Sequence, residues 1–220
     1  MKKWMIIVAG GQGKRMQAEI PKQFLNIAGR PILMHTLKNI SDFADDIGII
    51  VALPDPYADF WASLCKRHQF SVPHQVSKGG ETRFQSVKNS LEWISPASLV
   101  GVHDGVRPLV NHSTLSNVFR KAEESGNAVP VVKINESIRK FLGNGSIPVN
   151  RSEYRIIQTP QCFYSDLLIR AYQQEYHESF TDDATVVEAM GEKINLVEGN
   201  FENIKITRPA DLKFAEAMIR

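Results

Sequence analysis

The residues best suited to chemistry stand near the start of the chain: Ala9-Gly10-Gly11-Gln12-Gly13-Lys14-Arg15-Met16, followed by Pro21-Lys22-Gln23. Three glycines in four positions let the backbone turn sharply and present bare N–H groups, which line a concavity for anions. Arg15 and Lys22 add fixed positive charge to the same loop. That combination suits a polyphosphate, whose charge must be neutralised before another anion can attack it. Two familiar glycine loops do not fit. A dinucleotide fingerprint needs a third spaced glycine, and Met16 stands there, while Leu53-Pro54 at the end of the second strand offers no acidic ribose partner. A Walker loop needs Ser or Thr after Gly13-Lys14, and Arg15 follows. The loop alone is also compatible with a tight strand-to-helix turn carrying solvated bases.

Four further segments carry polar groups in suggestive company. Gly79-Gly80-Glu81-Thr82-Arg83-Phe84-Gln85-Ser86 puts two glycines before a helix, where a backbone can approach a flat base, and Ser86 offers a hydroxyl or simply decorates the helix. His103-Asp104-Gly105-Val106-Arg107-Pro108 ends a central strand; Asp104 and Arg107 either meet a ligand or pair with each other to close a turn. Arg151 precedes Gln158-Thr159-Pro160-Gln161-Cys162-Phe163. Thr181-Asp182-Asp183-Ala184 reads as a ligand contact or as a helix cap, and Lys205 falls within an alternating, strand-like segment.

The elements that must position these groups follow from hydrophobic periodicity. Short apolar runs at 4–8, 47–53, 99–103 and 128–132 predict strands, with a short one at 70–75; amphipathic stretches at 32–41, 57–67, 83–94 and 113–125 predict helices. Runs such as Ile49-Ile50-Val51 suit strands buried on both faces, and Pro31 and Gly126 punctuate helix ends. Alternating strands and helices predict a three-layer, Rossmann-like α/β fold with a mostly parallel sheet, whose ligands bind beyond the carboxyl ends of the strands. Residues 133–154 break the rhythm: alternation around Gly143-Asn144-Gly145 predicts a β-hairpin, which alone would be marginal in water and must pack on the domain or on a second copy.

Composition narrows the classes. A chain of 220 residues supports one core, so 1–220 reads as a single domain, and a formal net charge of +2 with dispersed bases calls for no nucleic-acid partner. Cys65 and Cys162 are too few for a disulfide framework and read as buried or incidental thiols. Lys2 and Lys3 precede an apolar run that stops at Ala9-Gly10, short of a secretory core, and no stretch reaches membrane-spanning length; the expected location is cytoplasmic.

Residues 9–23 resemble the amino-terminal signature of nucleotidyltransferases with a glycosyltransferase-A-like fold, and Pro21-Lys22-Gln23-Phe24 points within them to the cytidylyltransferases of polyol phosphates. The other four segments resemble that family's patterns, so the likeness spans nearly the whole chain. It implies a magnesium-dependent enzyme that joins CTP to a polyol phosphate and releases pyrophosphate. The segment Ile204-Lys205-Ile206-Thr207-Arg208-Pro209 is more similar to the methylerythritol phosphate branch of non-mevalonate isoprenoid synthesis than to the ribitol 5-phosphate branch. A non-catalytic nucleotide-binding protein is the alternative of another class. By the resemblance, Arg15 and Lys22 stabilise the transition state, and Arg151 and Lys205 hold the acceptor phosphate. Ala9, Gly10, Gly11, Gly13, Gly80, Glu81, Ser86, Asp104, Arg107, Thr159 and Thr181 bind substrates, and the triphosphate itself holds most of the Mg²⁺ shell. Arg151 would lie on an arm, 133–154, that crosses to a second subunit of a homodimer. The chain departs from the family at Asn135-Glu136-Ser137, where Asp-Thr is common, and at Asn150, where Asp is common.

Overall fold

The computed structural model of the chain describes residues 1–11 and 20–219. In its first half, β1 (Lys3–Val8) is followed by a 3-10 turn at Lys22–Phe24 and a small hairpin of β2 (Asn26–Ile27) and β3 (Arg30–Pro31). Then come α1 (Ile32–Phe43), β4 (Gly48–Leu53), α2 (Ala58–Arg67), β5 (Gln75–Lys78), α3 (Arg83–Leu91), β6 (Leu99–Asp104), α4 (His112–Ser125) and β7 (Asn127–Lys133). The second half holds β8 (Arg139–Phe141), β9 (Ser146–Pro148), β10 (Arg155–Ile157), β11 (Gln161–Tyr164), α5 (Ser165–Ala171), α6 (Asp183–Glu188), β12 (Leu196–Glu198) and α7 (Pro209–Ile219).

The main sheet runs β10-β7-β11-β6-β1-β4-β5, with β12 added alongside β7. β5, β4, β1 and β6 are mutually parallel, β11 is antiparallel to both β6 and β7, and β12 runs parallel to β7. The expected mostly parallel, three-layer fold is thus what the chain adopts. Alternation along β1 explains the layers. Met5 and Ile7 face one side, against Leu33 and Leu37 of α1, Trp61 of α2 and Val118 of α4. Ile6 faces the other, against Phe84 and Val87 of α3, Leu168 of α5 and Val186 of α6. Both thiols are packed: Cys162 is fully buried, and burial pushes Cys65 up to about 11, so neither is a ready thiolate.

The chain order steps from β1 outward to β5 and then returns to place β6 on the other side of β1. This reversal opens a crevice at the carboxyl ends of β1 and β6, where ligands of open α/β sheets bind.

Two expectations need correction. The short strand forms at Gln75–Lys78 rather than 70–75, because Phe70 and His74 turn onto the Trp61 indole, with ring centroids 6.0 and 5.7 Å away, before the backbone joins the sheet. Lys205 is not in a strand. Its segment is instead fastened by the Ile206 N–H donating to the Val106 carbonyl at 3.0 Å.

The hairpin forms inside the predicted arm, with Arg139 opposite Pro148 and Phe141 opposite Ser146. Phe141, Leu142 and Ile147 are exposed, Phe141 by 76 %. The departure at Asn150 is conservative: its Oδ1 accepts from the Ser152 N–H at 3.2 Å, as an aspartate would at the start of this turn.

Candidate active site

Two strand ends form the floor. Val8 pairs with Asp104, so Ala9, Gly10 and Gly11 leave β1 beside the carboxylate that ends β6. The rim stays laddered: the Ala9 N–H donates to the Ala52 carbonyl at 3.0 Å and the Gly105 N–H to Val8 at 2.9 Å. Above this floor lies a cavity of about 970 Å³. Its walls include Ala9, Gly10 and Gly11, Gly80, Glu81 and Ser86 from the turn into α3, and the side chains of Lys22, Asp104 and Lys205. These nine residues were expected at the site and the fold brings them together; Gly13 and Arg15 lie outside the described residues.

The turn into α3 is shaped by its own side chains. The Ser86 hydroxyl accepts from the Gly80 N–H at 3.0 Å and donates to the Thr82 carbonyl at 2.9 Å, while Thr82 caps the helix by accepting from the Gln85 N–H. A Cβ at Gly80 would fall 2.3 Å from Gln85 Cγ, so this glycine is required by the packing of the turn itself. Gly10 and Gly11 differ. A Cβ there would meet its nearest atoms only at 3.7 Å, ordinary contact, and neither residue has a positive φ. Nothing in the described packing demands glycine at these two positions, and both line the cavity.

Asp104 is the electrostatic centre. Its Oδ2 lies 3.0 Å from Arg107 Nε and 3.1 Å from Lys205 Nζ, and its Oδ1 lies 4.0 Å from Arg83 Nε. Burial alone would raise this carboxyl, yet Lys205, Arg83 and Arg107 hold it far below the usual carboxylate range, so it is ionised throughout the physiological span. Lys22, nearly buried, donates from Nζ to the Ile206 carbonyl at 3.0 Å. Lys22 and Lys205 therefore bracket one stretch of chain.

Four expected ligand residues sit elsewhere. Arg107 does not line the cavity: its Nε is taken by Asp104 and its Nη1 donates to the Asn203 carbonyl at 2.7 Å, which makes it the turn-closing partner of Asp104. Thr159 is buried, and its hydroxyl accepts from the Asp104 N–H at 3.1 Å and donates to His103 Nδ1 at 2.9 Å. The Arg107 carbonyl can only accept, so the proton on the neutral His103 ring belongs on Nε2, 3.0 Å from that oxygen. Burial lowers His103 to about 4, which keeps the ring neutral and fixes the chain His103–Thr159–Asp104 amide. Thr181 lies outside the cavity, and the cap it was offered for belongs to Asp182, whose side chain accepts from the Thr185 N–H at 2.9 Å. Arg151 also stands apart from its own cleft, on the exposed arm, where its guanidinium donates to the Asn135 carbonyl.

Of the charged residues lining the cavity Arg83 was missed, and the polar Gln23, Tyr57, Thr82 and Thr207 line it as well. Arg83 stands within the Gly-Gly-x-x-Arg segment, but its partner, Asp183, is a hundred residues away and no local signal joins them. No cluster of three or more His, Cys, Asp or Glu suited to a metal ion exists among the described residues, and no described helix is long and apolar enough to cross a membrane.

Residues 4–220 match the family model described as 2-C-methyl-D-erythritol 4-phosphate cytidylyltransferase. The chain is 50% identical over 219 residues to the protein of that name from Bacteroides thetaiotaomicron, with 100% of each chain covered. Among solved structures it resembles the 2-C-methyl-D-erythritol 4-phosphate cytidylyltransferase of Thermus thermophilus, at 32% identity and a TM-score of 0.77 with both chains fully covered. The Francisella tularensis enzyme of the same name aligns at 31% identity and a TM-score of 0.80, over 99% of each chain.

Proposed function

This chain belongs to the 2-C-methyl-D-erythritol 4-phosphate cytidylyltransferase family, and from that premise we propose how its cleft joins CTP to the polyol phosphate and releases pyrophosphate. The enzyme is a cytidylyltransferase of isoprenoid biosynthesis. The observation that carries the mechanism is the pairing of a glycine cradle, Gly10-Gly11, with the Lys22, Arg83 and Lys205 cations over one switch-point crevice. The acceptor's phosphate monoester is largely dianionic near neutral pH, since its second pKa is about 6. It needs no general base to attack the α-phosphorus. The buried His103 is accordingly not required for proton transfer, with both ring nitrogens already engaged. Catalysis then reduces to bringing two anions together and stabilising the charge that builds on the phosphoryl oxygens. In this reading Arg15 and Lys22 meet the transition state, while Lys205 and a partner's Arg151 hold the acceptor phosphate in line.

Mg²⁺ usually keeps waters and phosphate oxygens and takes few protein ligands. The Asp104 oxygens face Arg107, Lys205 and Arg83, so the triphosphate would hold most of the ion's shell, and the ion would neutralise phosphate charge. The polyol phosphate is methylerythritol phosphate rather than ribitol 5-phosphate. Incubating the protein with magnesium, CTP and each acceptor in turn tests this: pyrophosphate should appear with methylerythritol phosphate, and release with ribitol 5-phosphate alone would overturn the assignment. The working location is the cytoplasm, where CTP is made.

Gly11→Ala is expected to leave thermal stability unchanged, because its Cβ would come no closer than ordinary contact to any described residue, but to weaken CTP binding about tenfold, a loss of about 1.4 kcal/mol. Calorimetric titration reads this, and unchanged affinity would remove the turn from the nucleotide site. A second outcome concerns the arm. An exposed two-stranded hairpin carrying Phe141, Leu142 and Ile147 is unstable on its own, so a second copy covers it. Phe141→Glu should shift the protein from dimer to monomer in sedimentation and cut turnover about tenfold through loss of the partner's Arg151. A wild-type chain sedimenting as a monomer would dismiss the arm's role.

A further inference from the structure

Behind Arg83, the cleft wall holds a buried polar arrangement, Asp183 with Tyr172, that the mechanism above does not use. Asp183, the first residue of α6, is fully buried. Its two oxygens receive the fork of Arg83: Nη1 donates to Oδ1 at 2.8 Å and Nη2 to Oδ2 at 2.6 Å. Oδ1 also accepts from the Tyr172 hydroxyl at 2.7 Å. Arg83 opens α3 and lines the cavity, yet with both terminal nitrogens committed to Asp183 it is poorly placed to follow a moving phosphate. What remains toward the cleft is Nε, 4.0 Å from Asp104 Oδ1. On the far side of the same carboxylate stands Lys205.

A buried ion pair of this kind is weak evidence for stability. Removing two charges from water offsets most of their attraction, and apolar residues of similar volume often serve as well. A buried, bidentate pair does fix geometry. The Tyr172 ring adds to this rigidity, stacked on Phe84 at 4.6 Å beside Arg83.

We propose that Asp183 and Tyr172 are positioning residues, which hold Arg83 so that Asp104 and, through it, the Lys205 ammonium are preset for the acceptor phosphate. The charges alternate along the line, from the Asp183 carboxylate to the Arg83 guanidinium, the Asp104 carboxylate and the Lys205 ammonium. Each member restricts the next, so the cleft need not reorganise when the acceptor arrives. The proposal rests on the reading of Lys205 as an acceptor-phosphate contact.

The test is a double-mutant cycle in the full-length enzyme with Mg²⁺, CTP and methylerythritol phosphate, measuring pyrophosphate release per folded active site. Asp183→Asn should lower kcat/KM for the acceptor about tenfold, and Tyr172→Phe, which keeps the stacked ring, about threefold. Because both act through Asp104, Asp183→Asn should add less than about twofold in an Asp104→Asn background. Thermal unfolding of each variant separates misfolding from misplacement. Losses that multiply across the cycle would overturn the relay. So would an Asp183→Asn enzyme that is less heat-stable but keeps wild-type kcat/KM per folded site, or one impaired only in CTP affinity. A wild-type chain that releases no pyrophosphate would instead sink the underlying reading, and the relay with it.

Discussion

Replacing Lys22 by alanine is expected to lower kcat by about 10²- to 10³-fold while shifting CTP affinity less than about threefold. The asymmetry follows from where the ammonium stands. Lys22 is nearly buried at the cleft wall and donates to the Ile206 carbonyl, so water screens it little. A preorganised cation at such a place acts on charge as it develops. On the proposed reading, Mg²⁺ and the glycine amides would already neutralise the triphosphate in the ground state. Lys22→Met, which keeps the apolar stem, should reproduce the loss of turnover and separate charge from packing. Steady-state kinetics and direct titration with CTP read the two quantities. Equal losses in both would remove Lys22 from the transition state.

Acidification should destabilise the fold in a defined window. His103 has its pKa lowered from about 6.5 to about 4, chiefly by burial. Between these values the unfolded chain binds a proton that the folded one refuses, so stability rises with pH there and is lost as pH falls. The full difference amounts to about 3 kcal/mol, reached near pH 4. His35, also held down chiefly by burial, adds in the same direction. Asp104 has the opposite charge but the same sense. Its depressed carboxyl contributes stability that is complete above the usual carboxylate range and declines only below about pH 3.8, a separate window. Denaturant midpoints measured from pH 7 to pH 4 should fall steadily. An imidazole titration of His103 by NMR with a midpoint near that of a free histidine would contradict the buried Nε2–Arg107 and Nδ1–Thr159 arrangement.

The parts of this fold that could be read along the chain are those governed by neighbours in sequence. Strands at β1, β4, β6 and β7 and helices α1 to α4 follow from runs and periods of apolar residues, and Gly126 ends α4 with a φ of 83°, as a C-terminal glycine should. The hairpin around Gly143 likewise formed where alternation and turn residues placed it. The missed or misplaced pieces are mostly short, apart from the 11-residue α7. β10, β11 and β12 are three or four residues each, too few for a period to register. Lys205 lies in an alternating segment that never becomes a strand, because one backbone bond to Val106 and the Lys22 contact at Ile206 hold it instead.

The candidate site divides along the same line. Residue type and spacing alone were enough for glycines at the end of the first strand with Lys22 beside the same cavity, and for a carboxylate at the end of β6, since these follow from local geometry. Which side chains turn into the cleft was decided by tertiary structure. Arg107 and Thr159 stand in recognisable motifs, yet one closes a turn on Asp104 and the other carries a hydrogen bond between His103 and the Asp104 amide. Arg83 enters the cleft because Asp183, from a helix far along the chain, seizes its guanidinium. The physical reason is that a buried polar group must find its partner, and that partner is supplied by whichever strand or helix the fold sets beside it.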